Sequence, residues 1–272
     1  MFTSGDSVPM NDFDPVVFLS PVLAIIASIL LLLIIKNKSR LRANVIVFAL
    51  ISYAAAIALK EIVQYFSLSF VYDHFGKVSI LTGLYFGLQT SIFEVFGAYL
   101  IALTVTKRAL ISEKDADAYG GSLAFWENAV LLGALSLFSL LVDYVLITSG
   151  SALGSLVYKE LQSSNPGLFY PPLSVLPDVL LGALERLSSI LAHYSWGFLT
   201  LSAAVLKKKK LLYIALPMGM IDAIVPFEPF MGIDIFEGIV FAFSLFFLFI
   251  AIHYRKIYLK GGNRKGPSTI QE

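Results

Sequence analysis

Stretches of about 20 predominantly apolar residues, each long enough to cross the hydrocarbon of a bilayer as a helix, recur along the whole of this chain. This feature constrains the fold more than any other. Inside lipid every backbone N–H and C=O must be satisfied by the chain itself, which leaves helices and closed barrels as the spanning structures. A barrel would show alternating segments of about 10 residues, and the sequence has none. The expected class is therefore all-α, a polytopic membrane helical bundle forming a single integral membrane domain over 1–272. Only 14% of the residues are charged, against about 25% in a soluble domain. There is no cysteine, which excludes disulfides, thiolate metal sites and cysteine nucleophiles.

The apolar pattern predicts seven helices, at 16–35, 43–66, 79–106, 122–148, 178–206, 211–225 and 235–253. The sixth is short for a span, covering roughly 22 Å at the helical rise, and is expected to sit inside the bundle or to extend through the lysines before it. Lys36, Lys38, Arg40, Arg42, Lys107, Arg108, Lys114, Lys207 to Lys210, Arg255, Lys256, Lys260, Arg264 and Lys265 all fall on one side in this arrangement. The opposite connections carry Asp12, Asp14, Asp73, Lys77, Lys159, Glu160, Glu228 and Asp234. An excess of Lys and Arg marks the cytoplasmic side, so the amino terminus is expected outside and the carboxyl terminus in the cytoplasm of a multi-pass cell-membrane protein. The four-lysine run then reads as a topology anchor rather than a nucleic-acid patch. No cleavable signal is expected, because Met1 to Asp14 is acidic rather than basic. The connection 149–177, with Asn165-Pro-Gly167 and Tyr170-Pro-Pro172, reads as an external loop, and 254–272 as a flexible tail.

Ionisable residues within a span are rare and mark function by default. The stretch from Glu185 through Arg186 and His193 to Gly197 concentrates three of them. Counted from the basic side, His193 lies roughly 20 Å deep, Glu94 roughly 18 Å and Asp222 roughly 17 Å, with Glu127 shallower at roughly 8 Å. These four are expected to face one another around a polar pocket. Glu185 and Arg186 form a supporting layer towards the outer end, with Arg186 neutralising Glu185, Asp178 or Asp143. Asn128 is a candidate oxyanion donor, or alternatively an interhelical hydrogen bond. Lys60 and Glu61 read as snorkelling side chains at the outer end of the second helix, and His74 and His253 as surface histidines. Gly97, Gly133, Gly197 and Gly219 would let helices approach closely. Pro217 predicts a kink just before Asp222.

At this point the motifs resemble those of the YhfC-type intramembrane metallopeptidases, relatives of the PrsW and CAAX-processing membrane proteases. Ile92-Phe-Glu-Val-Phe-Gly-Ala-Tyr99 is similar to the family's Glu-Glu-x-Gly-Arg-aromatic motif, with Glu94 and Gly97 kept, Val95 in place of the second glutamate and Ala98 in place of the arginine. Tyr119-Gly-Gly-Ser-Leu-Ala-Phe-Trp-Glu127 resembles the second motif, with Glu127 kept and Leu123 in place of histidine. Glu185-Arg186 followed by His193 keeps the third motif's spacing. Met218-Gly-Met-Ile-Asp222 resembles the fourth, with Met218 in place of histidine and Asp222 kept. The resemblance implies an intramembrane endopeptidase acting on a membrane protein or peptide substrate. It also implies one divalent metal, zinc or manganese, on His193, Glu94 and Asp222, with Glu127 as general base. A second mechanism needs no metal: Glu94 or Glu127 activates water, and His193 and Asn128 stabilise the oxyanion. Two other readings stand beside the peptidase. One is a catalytically degenerate membrane-embedded binding protein, and the other a small transporter using the acids as an ion relay.

Overall fold

The computed structural model describes residues 15–38 and 40–259. The acidic stretch Met1 to Asp14 and most of the expected tail, 260–272, lie outside the described residues. Within them every regular element is helical. We number the helices α1 (Leu19–Lys38), α2 (Ala43–Phe75), α3 (Ile80–Lys107), α4 (Glu113–Thr148), α5 (Ala152–Ser164), α6 (Pro172–Leu206), α7 (Lys209–Met231) and α8 (Ile233–Leu259).

Six of these stretches are long and apolar enough to cross a membrane: Pro15–Asn37 with α1, then α2, α3, α4, α7 and α8. The seventh, α6, is 35 residues long but more polar, because it runs through the middle of the bundle. Every residue from 192 to 204 in it is buried. It packs against α1, α3, α4, α7 and α8, so its Ser, Thr and His side chains meet protein rather than lipid. Outward-facing residues such as Leu30, Leu33, Ile34, Phe138, Phe246 and Phe249 are exposed on the surrounding helices, as a lipid-facing surface requires. The protein is thus a multi-pass membrane protein with a buried central helix.

Small residues bring the helices together. A Cβ on Gly120 would stand 2.4 Å from the Tyr194 carbonyl oxygen, and one on Gly197 would stand 2.7 Å from the Gly120 Cα. Both are closer than any real Cβ contact, so α4 and α6 touch backbone to backbone there. Gly219 meets Ser91 in the same way, seating α7 on α3. Gly97, expected to serve similarly, has only its own Ile92 carbonyl oxygen at 4.0 Å; no neighbouring helix approaches it.

The structure changes several expected boundaries. α2 continues nine residues past 66, to Phe75, and stops at Gly76, whose φ of 80° takes the chain out of the helix. α4 begins at a capping box in which Ser112 and Asp115 satisfy each other's backbone N–H, well before residue 122. α7 starts inside the lysine run, as one of the two expectations had it. The connection 149–177 is not a loop. Ser151 caps α5 by accepting from Gly154 N at 3.0 Å, and a 3-10 turn at Pro166–Phe169 leads directly into α6. Leu168, Val175 and Val179 pack there with Val17 and Ile147 in a small separate core. The expected flexible tail is helical up to Leu259.

Candidate functional site

Three of the four expected acid or base residues sit where the helix departs from α geometry. Glu94 lies in a π-helical segment, Thr90–Phe96, inside α3. Glu127 lies in a second π segment, Trp126–Leu135, inside α4. Asp222 lies in a 3-10 stretch, Leu216–Phe227, inside α7. Such segments are frequent at functional sites, because they re-aim side chains and loosen the backbone ladder. The kink expected from Pro217 is spread over this whole 3-10 stretch.

Depth brings the groups level. Glu94 is thirteen residues before Lys107 and His193 thirteen before Leu206, roughly 20 Å each. With α4 starting at Glu113, Glu127 is fourteen residues in, roughly 21 Å, and no longer shallow. These side chains line one cavity of about 210 Å³ between α2, α3, α4, α6, α7 and α8. Its apolar wall includes Ile57, Ile221, Val225, Phe236 and Val240.

His193 is at the centre. Its ring packs on Trp196 with centroids 4.2 Å apart and meets Tyr53 edge-on at 6.2 Å. Nδ1 donates to the Ser189 carbonyl oxygen at 3.0 Å, which fixes the ring and aims Nε2 into the cavity. Nε2 lies 3.2 Å from Glu94 Oε2 and 2.5 Å from Glu127 Oε2. The Glu94 contact is a hydrogen bond. The Glu127 contact is an ion pair, and Glu127 Oε2, a buried oxygen, has no other polar partner.

Lys60 completes the cluster. Its Nζ donates to Glu94 Oε1 at 2.7 Å, to Thr90 Oγ1 at 2.8 Å and to Asp222 Oδ2 at 3.3 Å. Thr90 Oγ1 in turn donates to Asp222 Oδ2. The groups form a chain of alternating sign across the cavity: Asp222, Lys60, Glu94, His193, Glu127. Lys60 does not snorkel, because fifteen residues of α2, roughly 22 Å, separate it from the helix end at Phe75. The available signal was the apolar and aromatic run continuing past Phe66 to the Gly76 stop.

Other expected site residues fall as follows. Arg186 and Glu185 form an ion pair with each other and line the same cavity. Asn128 is fully buried and gives both amide hydrogens away, to the Ala124 carbonyl and to Ser189 Oγ, each at 3.1 Å. The Ser189 bond holds α4 to α6, which is the interhelical alternative that the sequence offered for Asn128. His74 and His253 are exposed, as expected. Glu237, buried on α8 with an unpartnered Oε2, was not singled out by the sequence.

The metal implied by the resemblance can be tested against these residues. A catalytic zinc site takes three protein ligands, commonly with two or more histidines. Here there is one histidine, and where a hard cation would sit between Glu94 and Asp222 the Lys60 ammonium already stands. Met218, at the position of a family histidine, is buried at 1% exposure and offers only a thioether. Among the described residues no group of three or more His, Asp or Glu side chains is arranged to hold an ion. The residues present do not fit a resident divalent metal.

No curated protein and no solved structure matches the chain. A family model does match, and it covers residues 22–226, a span that includes α2 to α6 and every residue of the alternating cluster. The chain belongs to the YhfC intramembrane metalloprotease family.

Proposed function

We propose that this protein is an intramembrane endopeptidase in which Glu127 activates water and His193 stabilises the oxyanion. The observation that carries this reading is the Glu127 carboxylate, paired with His193 Nε2 at 2.5 Å but closed by no arginine, inside a cavity at mid-membrane depth. Family membership supports peptide-bond hydrolysis in the membrane. The family name carries a metal ion, but the steps below use only this chain's own groups.

A water molecule on the cavity side of Glu127 loses a proton to that carboxylate as its oxygen attacks the peptide carbonyl. The charge that develops on the carbonyl oxygen draws the His193 Nε2–H away from Glu94, which holds it at rest, while Nδ1 and Ser189 keep the ring in place. When the C–N bond breaks, Glu127 returns its proton to the leaving amine. Glu94 orients His193, and Lys60 offsets the charge of Glu94 and Asp222. The substrate is a membrane protein or a membrane-associated peptide that presents an apolar segment to the wall formed by Ile57, Ile221, Val225, Phe236 and Val240.

The test is cleavage of labelled transmembrane and lipid-anchored peptides by the protein in liposomes. Glu127→Gln removes the base and is expected to lower the rate by at least about 100-fold, with the melting temperature held. A folded protein that cleaves nothing, or a Glu127→Gln variant as fast as wild type, would sink the reading and favour the binding protein. The basic connections favour a cytoplasmic carboxyl terminus. With no native cysteine, single introduced cysteines and an impermeant thiol reagent would read that orientation directly.

A further inference from the structure

We propose that the Lys60 ammonium is the resident cation of this site and keeps divalent metals out of it. A lysine ammonium has three N–H donors and no acceptor. All three find an oxygen here, and the oxygens come from two different helices: Glu94 Oε1 and Thr90 Oγ1 from α3, and Asp222 Oδ2 from α7. Lys60 itself comes from α2. The shell is therefore built, with the side chain only 17% exposed.

Two physical consequences follow. A divalent ion binds carboxylate oxygens at about 2.0–2.6 Å, so an ion on Glu94 and Asp222 would crowd Nζ, which stands 2.7 and 3.3 Å from the same oxygens. Like charges at that separation, away from bulk water, repel strongly. The ammonium must leave before the metal can enter. The second consequence concerns charge balance. Glu94, Glu127 and Asp222 face the cavity from three helices, and Lys60 supplies a fixed positive charge from a fourth, so the acids can share a low-dielectric site without a metal. His193 is held to Glu94 through Nε2. That contact already occupies the Nε2 position that a metal would take.

The inference concerns the same site as the peptidase reading, but its test measures binding and not turnover, so either can fail alone. Protein purified in mild detergent and stripped with chelator is titrated with Mn²⁺, read by paramagnetic resonance, and with Zn²⁺, read by equilibrium dialysis. Wild type is expected to bind neither stoichiometrically. Lys60→Met empties the cation position, and it should bind about one equivalent at least about ten-fold more tightly than wild type. Adding Asp222→Asn should abolish that gain. Lys60→Gln, which keeps a hydrogen-bonding side chain without the charge, serves as the neutral variant if Lys60→Met does not elute as a single folded species. Stoichiometric metal on wild type, lost in Glu94→Gln, overturns the proposal whatever the Lys60 variants do. So does a folded neutral variant that binds no more metal than wild type, because the ammonium is then not what excludes it.

Discussion

Asp117 and Glu127 are acids on the same helix, both inside the bundle, and the chain treats them differently. Asp117 is 3% exposed and receives Arg255 Nε at 2.8 and 2.9 Å on its two oxygens, Arg255 Nη2 at 2.8 Å and the Tyr194 hydroxyl at 2.8 Å. A guanidinium fork matches a carboxylate in geometry and uses up both oxygens. Glu127 meets no guanidinium. Its neighbour is a histidine already shared with Glu94, and one of its oxygens is left without a hydrogen bond. Buried acids closed by arginine hold helices together, and this one ties α4 to α6 and α8. A buried acid left open, facing a cavity, keeps reactivity. The central cluster is built from lysine and histidine, the two cations that donate without saturating a carboxylate.

The largest expected effect tests that contrast directly. Glu127→Gln should cost at least about 100-fold in cleavage, or roughly 2.7 kcal/mol of transition-state stabilisation, and little stability. Asp117→Asn should do the reverse. It leaves a partly buried arginine without its counter-charge, which costs about 3 kcal/mol, and cleavage per folded molecule should hold. Thermal unfolding in detergent beside the liposome assay reads both. If the two variants lose activity and stability in the same proportion, the distinction between a closed and an open acid fails here.

Next in size is a change with no charge in it. Gly120→Ala drives a methyl into the Tyr194 carbonyl, which stands 2.4 Å from where the Cβ would go, and nothing there is a flexible side-chain tip. Overpacking of this kind costs about 1–3 kcal/mol. Tyr194 directly follows His193, so a shift of α6 here should also lower activity modestly. A variant as stable as wild type would mean that α4 and α6 separate without penalty.

The spans were legible because lipid enforces an apolar period that a sequence cannot hide, and depth put Glu94, His193 and Asp222 level, while Glu127 read as too shallow until α4 was seen to start at Glu113. Three things were not legible. Glu94, Glu127 and Asp222 sit on π and 3-10 segments, and no residue pattern announces those, since tertiary packing sets them. Lys60 was misplaced because α2 was ended at Phe66, although an apolar helix runs on to Gly76. Asn128 carries two readings in the sequence, oxyanion donor and interhelical hydrogen bond, because adjacency to Glu127 does not fix the face it presents; its amide turns to Ala124 and Ser189.

The smallest expected effect sharpens the comparison from the side of the arginine-closed acids. Asp115 is 1% exposed and bonded by Arg42, whose Nε lies 3.1 Å from Oδ1. On distance alone this pair looks like a copy of Asp117 and Arg255. Two differences separate them. Arg42 is 41% exposed, so water and salt screen its charge. Asp115 also accepts from Ser112 N at 2.7 Å and from Ser112 Oγ at 2.9 Å, so it remains satisfied when the arginine goes. Arg42→Met should therefore cost less than about 1 kcal/mol. Asp115→Ala, which removes the helix cap as well, should cost about 1–2 kcal/mol. Unfolding measured at low and high salt checks the assignment: the Arg42 effect should shrink with salt and the Asp115 effect should largely persist. If Arg42→Met proves as damaging as Asp117→Asn, then exposure is not what separates the two arginine pairs, and the number of other donors on the acid does not decide the cost either.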